Sequence, residues 1–232
     1  MAFPQVEDTV TRIFLTASTS HAVVMPTTVN AGDLLLMTVS AHASGGDGIT
    51  TPTGWSIVST YITASSAGQI VYGKDAVGDE DAATVTVAMT NSSSVVAIVQ
   101  RISGWGGTLG TDVEATTPVG PTSTSAPDPP SITATWGADD NLFIGITTGM
   151  NDDTVYSAFP YATNQADGSA GASANLWVNS GLATTESTSA TENPGTFTLD
   201  SAQYSVRTTI AVKPAAGGGG SAVPKILQQF LR

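Results

Sequence analysis

Two histidines, His21 and His42, and no cysteine are all that this 232-residue chain offers for imidazole or thiol chemistry. Catalysis would need a nucleophile with a base, a carboxylate pair across a cleft, or a set of metal ligands. Each histidine falls near the end of a predicted strand and reads as a neutral surface or half-buried imidazole rather than a general base. No Gly-x-Ser-x-Gly elbow, His-Glu-x-x-His pair or phosphate-binding loop occurs. Ser103-Gly-Trp-Gly-Gly107 is a turn, since neither a Lys-Ser/Thr pair nor a helix follows it. Three acidic clusters, Asp79-Glu-Asp81, Asp139-Asp140 and Asn151-Asp-Asp153, have oxygens to offer Ca²⁺. None has the alternating spacing and terminal Glu of a dedicated loop, so they read as solvated turns. Of the four tryptophans, Trp55 and Trp177 lie in strand contexts and read as interior. Trp105 and Trp136 stand beside glycine and loop residues and are candidate exposed platforms for a sugar. These residues predict no enzyme, no cofactor and no bound metal.

The remaining chemistry is that of attachment. Gly217 to Gly220 have no side chain to pack and separate rather than fold. Beyond them Ser221 can cap a helix and Pro224 fits its first turn. Val223, Ile226, Leu227, Phe230 and Leu231 then fall at i, i+3, i+4, i+7 and i+8, one apolar stripe opposite Lys225, Gln228, Gln229 and Arg232. A helix of roughly ten residues is marginal alone in water, so it forms where that stripe is buried. Charge sharpens the point: 7 Lys+Arg against 19 Asp+Glu give −12, yet the last twenty residues hold Lys213, Lys225 and Arg232 and no acid. The tail is therefore +3 and the rest −12 − 3 = −15, which suits docking on an acidic partner or on the acidic body. Such a body repels nucleic acid. The first residues carry no secretory signal, and no segment approaches the roughly twenty apolar residues of a membrane span, so a product made in a cytoplasm and bound to no membrane is expected.

The body that must carry this tail is rich in Thr, Ser, Val, Gly and Ala, and its short apolar runs are punctuated by Gly, Asp, Asn and Pro. That is an all-β pattern. Predicted strands are Val10 to Ala17, Ala22 to Met25, Asp33 to Ala41, Trp55 to Thr63, Gln69 to Lys74, Ala83 to Met89 and Ser94 to Ile102. Val85, Val87 and Met89 alternate with Thr84, Thr86 and Ala88, as on a sheet with one face buried, whereas Leu34 to Val39 is continuous and reads as central.

The second half repeats this plan. Ser131 to Thr135 before Asn141 to Thr147 parallels His21 to Met25 before Asp33 to Thr38. Further on, Ala174 to Val178 parallels Gln69 to Gly73, Gly195 to Leu199 parallels Ala83 to Val87, and Tyr204 to Val212 parallels Ser94 to Arg101. The proline-rich 116–130 between the copies reads as a surface crossover. The expected fold is an antiparallel two-sheet β-sandwich, jelly-roll-like, built from half-repeats at about 20–105 and 131–213. Residues 1–213 make one domain, and 214–232 are a linker and docking peptide.

Ala31-Gly-Asp-Leu-Leu-Leu-Met-Thr-Val39, Pro52-Thr-Gly-Trp55, Val71-Tyr-Gly-Lys-Asp-Ala76, Ala83-Thr-Val-Thr-Val87 and Ala97-Ile-Val-Gln-Arg-Ile-Ser-Gly104 together resemble a run found in structural proteins of tailed bacteriophages. The resemblance covers about residues 20–105, and the second copy loosely, since Phe159-Pro-Tyr-Ala stands where the first has Pro52-Thr-Gly-Trp55. It implies a β-sandwich without catalytic activity that decorates capsids or builds head and tail fibres, often as a homotrimer. The expected role is a capsid decoration, or cement, protein on the virion, with a major capsid protein or other virion protein as partner. A receptor- or glycan-binding fibre subunit is the alternative, and a polysaccharide-degrading enzyme a remote one. Reversing charge with Lys225→Glu and Arg232→Glu is expected to weaken tail docking several-fold more at low salt than at high, in titrations against isolated particles. Equal loss at both ionic strengths would remove charge from the account.

Overall fold

Val, Ile and Thr branch at Cβ and suit a pleated surface, and the chain they dominate forms strands and no helix among the residues described. The computed structural model describes residues 2–42, 48–62, 67–150, 156–171 and 177–216. The first half supplies β1 (Gln5–Val24), β2 (Leu34–His42), β3 (Ile49–Thr50), β4 (Ser56–Tyr61), β5 (Ala67–Asp75) and β6 (Thr84–Ser103). The second supplies β7 (Val113–Ala115), β8 (Val119–Thr124), β9 (Ile132–Thr133), β10 (Asn141–Met150) and β11 (Tyr156–Ala158). It ends with β12 (Thr163–Ala170), β13 (Val178–Ser187), β14 (Thr191–Glu192), β15 (Thr198–Leu199) and β16 (Gln203–Val212).

Two antiparallel sheets result, ordered β1-β6-β2-β5-β4 and β12-β13-β10-β16-β7, with β8 also beside β16. Taken from opposite ends these are one order, β4, β5, β2, β6 and β1 answering to β12, β13, β10, β16 and β7–β8. Registers agree too. Leu34 stands between Ile102 and Asp75 in the first sheet, and Leu142 between Val212 and Glu186 in the second. The sheets stack with β1 against β12, β6 against β13, β5 against β16 and β4 against β7. Each of these contacts has its mate under a two-fold axis between the sheets, so the halves meet as two copies would in an isologous dimer.

The seam between the sheets is apolar. Leu34, Leu36, Val71, Val96, Ile98 and Ile102 meet Leu142, Ile144, Ile146, Leu182, Ile210 and Val212 in one buried cluster. The alternate residues of the same strands, Leu35, Met37, Val39, Val95, Ala97 and Val99, are buried on the opposite face, which is why the β2 run is continuous rather than alternating. Covering that outer face falls to the chain's own arms. The β1–β6 pair is twenty residues long on each side, and its register shifts between Phe14 and Ser20 mark where it bends. Val23, Val87 and Met89 beyond the bend thereby join Met37, Tyr72 and Trp55 in one core. The Pro52–Trp55 turn closes with Trp55 N–H on the Pro52 carbonyl (3.1 Å) and a left-handed Gly54, leaving the indole 6% exposed. On the second sheet the outer face is closed by two short ribbons, β9–β14 and β11–β15, over smaller clusters.

Three local expectations are corrected. Val10–Ala17 and Ala22–Met25 are one strand, as are Ala83–Met89 and Ser94–Ile102, because bulges absorb the bend without ending the pairing. Part of the proline-rich crossover is strand β8, at the sheet edge, where Gly120 and Pro121 fall at a register shift between Ser205 and Arg207 and cost no ladder bond. The counterpart of β5 is Val178–Ser187, not Ala174–Val178. The buried Asn179-Ser-Gly181 in that strand hides its apolar signature.

One end of the seam is polar. Ser40 and Thr148 share a hydroxyl hydrogen bond (2.6 Å), Gln69 Nε2 donates to Thr148 (3.0 Å), and Thr208 Oγ1 donates to Gln69 Oε1 (2.8 Å), all four side chains buried. Gln69→Ala leaves Thr148 and Thr208 short of a partner, and is expected to cost about 1–3 kcal/mol in urea denaturation. Leu142→Ala, in the apolar seam, is expected to cost about 2–5 kcal/mol. A Gln69→Ala protein as stable as wild type would show that the network does not hold the halves.

Candidate functional site

Most groups singled out for chemistry turn out to be braces. His21 is buried, its Nε2 3.0 Å from the Ser18 carbonyl and its ring edge-on to Phe14 at 4.9 Å. Burial lowers its pKa against the raising pull of the Ser18 and Ser93 backbone. His42 ends β2, and its carbonyl accepts the Ser93 hydroxyl at 2.7 Å. In the Asp79–Asp81 turn Asp79 and Asp81 are exposed, as expected of a solvated turn, but Glu80 is not. Glu80 is buried, pairs with Lys74 at 2.9 Å and accepts the Val77 and Gly78 N–H groups, while Asp81 accepts the N–H of Val29. Asp139 accepts the Asp140 N–H (2.9 Å). Asn151-Asp-Asp153 lies outside the described residues. Among the described residues no group of three or more His, Asp or Glu side chains gathers to hold a metal.

For Trp105 the expectation of an exposed platform is corrected. Trp105 is 3% exposed, in the seam, its Nε1 donating to the Gly32 carbonyl at 2.9 Å, because its indole plugs the end of the sheet where β2 begins. Trp136 is half-buried against Ile132, Ala134 and Phe143, and its Nε1 donates to Asn141 Oδ1 at 2.7 Å. Trp177, expected in the interior, is half-buried beside Gly171. The docking residues Val223, Lys225, Ile226, Leu227, Phe230, Leu231 and Arg232 lie outside the described residues. Their root does not. Lys213 pairs with Asp112 (3.3 Å), Pro214 bridges to Trp105, and Ala215 N–H bonds the Gly104 carbonyl (2.8 Å). Residues 213–215, just before the tail, are therefore tied to the body by an ion pair, a bridge and a backbone hydrogen bond.

A concavity lies elsewhere, on the outer face of the second sheet. A cleft of about 510 Å³ is lined by residues 156–162 and Gln165. Tyr156 and Phe159 stack at 5.6 Å with an interplanar angle of 27°, and Phe197 meets both edge-on at 5.9 and 5.7 Å. The Tyr156 ring reaches this position because β13 has Gly181 beneath it, where a Cβ would lie 2.7 Å from a ring carbon. Its hydroxyl donates to Asn179 Oδ1 (2.8 Å), and Asn179 is locked to Gln203 by two hydrogen bonds, Asn179 Nδ2 to Gln203 Oε1 (2.6 Å) and Gln203 Nε2 to Asn179 Oδ1 (3.1 Å). Tyr161 donates to Glu192 at 3.2 Å. Burial raises both phenol pKa values, helped by the charge of Asp167 at Tyr156 and of Glu192 at Tyr161, so both hydroxyls remain protonated donors. A bulge with left-handed Asn164 interrupts the β12–β13 ladder, and beside it Gln165 Nε2 bonds the Tyr161 carbonyl at 2.6 Å.

Sequence reasoning missed this cleft. The signals present were Phe159-Pro-Tyr161, where the second copy departs from the first, and a glycine inside strand β13. Among the described residues that line the cleft, none pairs a nucleophile with a base.

Burial would raise the pKa of Glu80, but the Lys74 bond, the two backbone N–H groups and the Lys74 charge outweigh it and hold the carboxyl below 4.5. A depressed carboxyl contributes its stability above the unfolded value and loses it as pH falls through the folded one. Glu80→Gln is thus expected to cost about 1–3 kcal/mol at neutral pH and to flatten the loss of stability below pH 4.5. Urea midpoints across that range check it, and parallel acid limbs would count against the assignment. No protein-family model, curated protein or solved structure matches the chain.

Proposed function

We propose that the protein is a non-enzymatic virion component of a tailed bacteriophage, a capsid decoration protein that binds the outer shell and reinforces it. The observation that carries this reading is the division of labour along the chain. An acidic sandwich whose buried charges brace its own strand ends is followed by a basic, apolar-striped segment that begins where Lys213 and Pro214 are tied to the body. The resemblance of residues 20–105 to phage structural proteins supports the same reading. Each bound copy stabilises the shell by mass action, and trimeric display of the tails would raise effective affinity well beyond one contact. Val223, Ile226, Leu227, Phe230 and Leu231 serve as the apolar anchor, and Lys225 and Arg232 as charge contacts.

A second reading, a receptor-binding head or tail fibre subunit, draws on the aromatic cleft at Tyr156 to Tyr161 rather than on the tail. Particle imaging separates the two. The full chain is expected at high occupancy on the shell, and a chain ending at Ala216 is expected to fold with unchanged circular dichroism and to leave the shell bare. Undiminished occupancy of the truncated chain would sink the tail as the anchor, and location on a fibre would replace the first reading with the second.

A further inference from the structure

The internal duplication makes differences between the halves informative, because two copies of one plan should close their outer faces alike. In the first half, β3 pairs with the near arm of β6, Ile49 opposite Met89, over a core sealed by that arm. The matching ribbon in the second half pairs β11 with β15, Tyr156 opposite Leu199. Here the long arms are missing, and three interlocked rings stand at the edge of an open cleft. A ribbon needed only to seal the sheet would be served by aliphatic residues, as Ile49 and Met89 serve the first. The second half instead spends a strand glycine, Gly181, to seat a ring, and a buried Asn179–Gln203 pair to fix its hydroxyl.

From this asymmetry we infer that the cleft lined by Tyr156, Phe159, Tyr161 and Gln165 is a binding site for a neutral saccharide. Its volume of about 510 Å³ lies within the range of small-ligand sites. Aromatic faces meet the C–H faces of a pyranose ring, and here the half-buried Phe159 and Tyr161 offer that surface while the buried Tyr156 and Phe197 hold Phe159 in place, so little freedom is lost on binding. Ser157 and Gln165 line the cleft beside the aromatic rings, which suits a ligand that has both C–H faces and hydroxyl groups. Gln165 is exposed beside Tyr161 and presents an amide, able to donate and accept at once, to vicinal hydroxyls. Charge decides the class. Glu192 sits behind Tyr161, Asp167 acts on Tyr156, and the whole chain is −12, so an anionic sugar or a phosphate is repelled. The site is distinct from Trp105 and Trp136 and does not depend on where the protein sits on a particle.

Saturation-transfer NMR on the full chain tests it, with cellotriose, maltotriose and chitotriose as neutral probes and sialyllactose as the anionic one. At least one neutral trisaccharide is expected to bind at millimolar concentration or below. Tyr161→Ala and Gln165→Ala are each expected to weaken it about five- to tenfold, with Trp136→Ala without effect. Gln165 is on the surface, so its variant keeps the test meaningful if Tyr161→Ala fails to fold. Three outcomes overturn the proposal: no neutral probe binds, sialyllactose binds as well as the neutral sugars, or Trp136→Ala abolishes binding that Gln165→Ala retains. Failure of the protein to associate with particles leaves all of these outcomes readable, so the two readings fall separately.

Discussion

Everything in the sandwich depends on the burial of Leu34, Leu36, Val96 and Ile98 of one sheet against Leu142, Ile144, Ile210 and Val212 of the other. β2 and β6 are apolar on both sides, and Phe143 of β10 and Ala211 of β16 face away from the seam, so once it forms each sheet still has apolar surface to hide. The duplicated plan solves the first problem symmetrically, since a patch that packs on itself under a two-fold axis needs no second design. It leaves the second problem to each half separately.

The two solutions differ, and the difference is where the candidate site comes from. In the first half the β1–β6 pair is long enough to bend back and seal its own sheet with Val23, Val87 and Met89. In the second half the stretch corresponding to β1 carries Pro118, Pro121 and Pro127 to Pro130 region loops and pairs only as short β7, β8 and β9. Proline removes ladder donors, so no long arm forms there, and rings at positions 156, 159 and 197 cover part of the face instead. A cleft is the geometric remainder.

Polar groups are sorted to the two ends of the seam. At the end where β2 begins, Arg101–Asp33 (3.1 Å), Lys74–Glu80 and Lys213–Asp112 clasp strand termini, and Trp105 plugs the gap beneath them. With so few cations in the chain, committing Lys74, Arg101 and Lys213 to this end leaves the rest of the body acidic. At the other end hydroxyls and amides from Ser40, Gln69, Thr148 and Thr208 meet across the sheets. Hydrogen bonds are directional where apolar contact is not, so this end discriminates against sliding of one sheet over the other.

Fold class, the central place of Leu34–Val39, the duplication and the core position of Trp55 were legible in the amino-acid sequence, because alternation and apolar runs report burial directly. The basic apolar tail is likewise a property of sequence alone. Burial of Trp105, the bracing role of Glu80 and the cleft at Tyr156 to Tyr161 were decided only by tertiary structure. Each depends on residues far apart in the chain, Gly32 under Trp105, Lys74 against Glu80, Gly181 beneath Tyr156. A local pattern records which side of a strand is apolar, but not which distant strand comes to lie against it, and it is that neighbour that decides whether an indole is a platform or a plug.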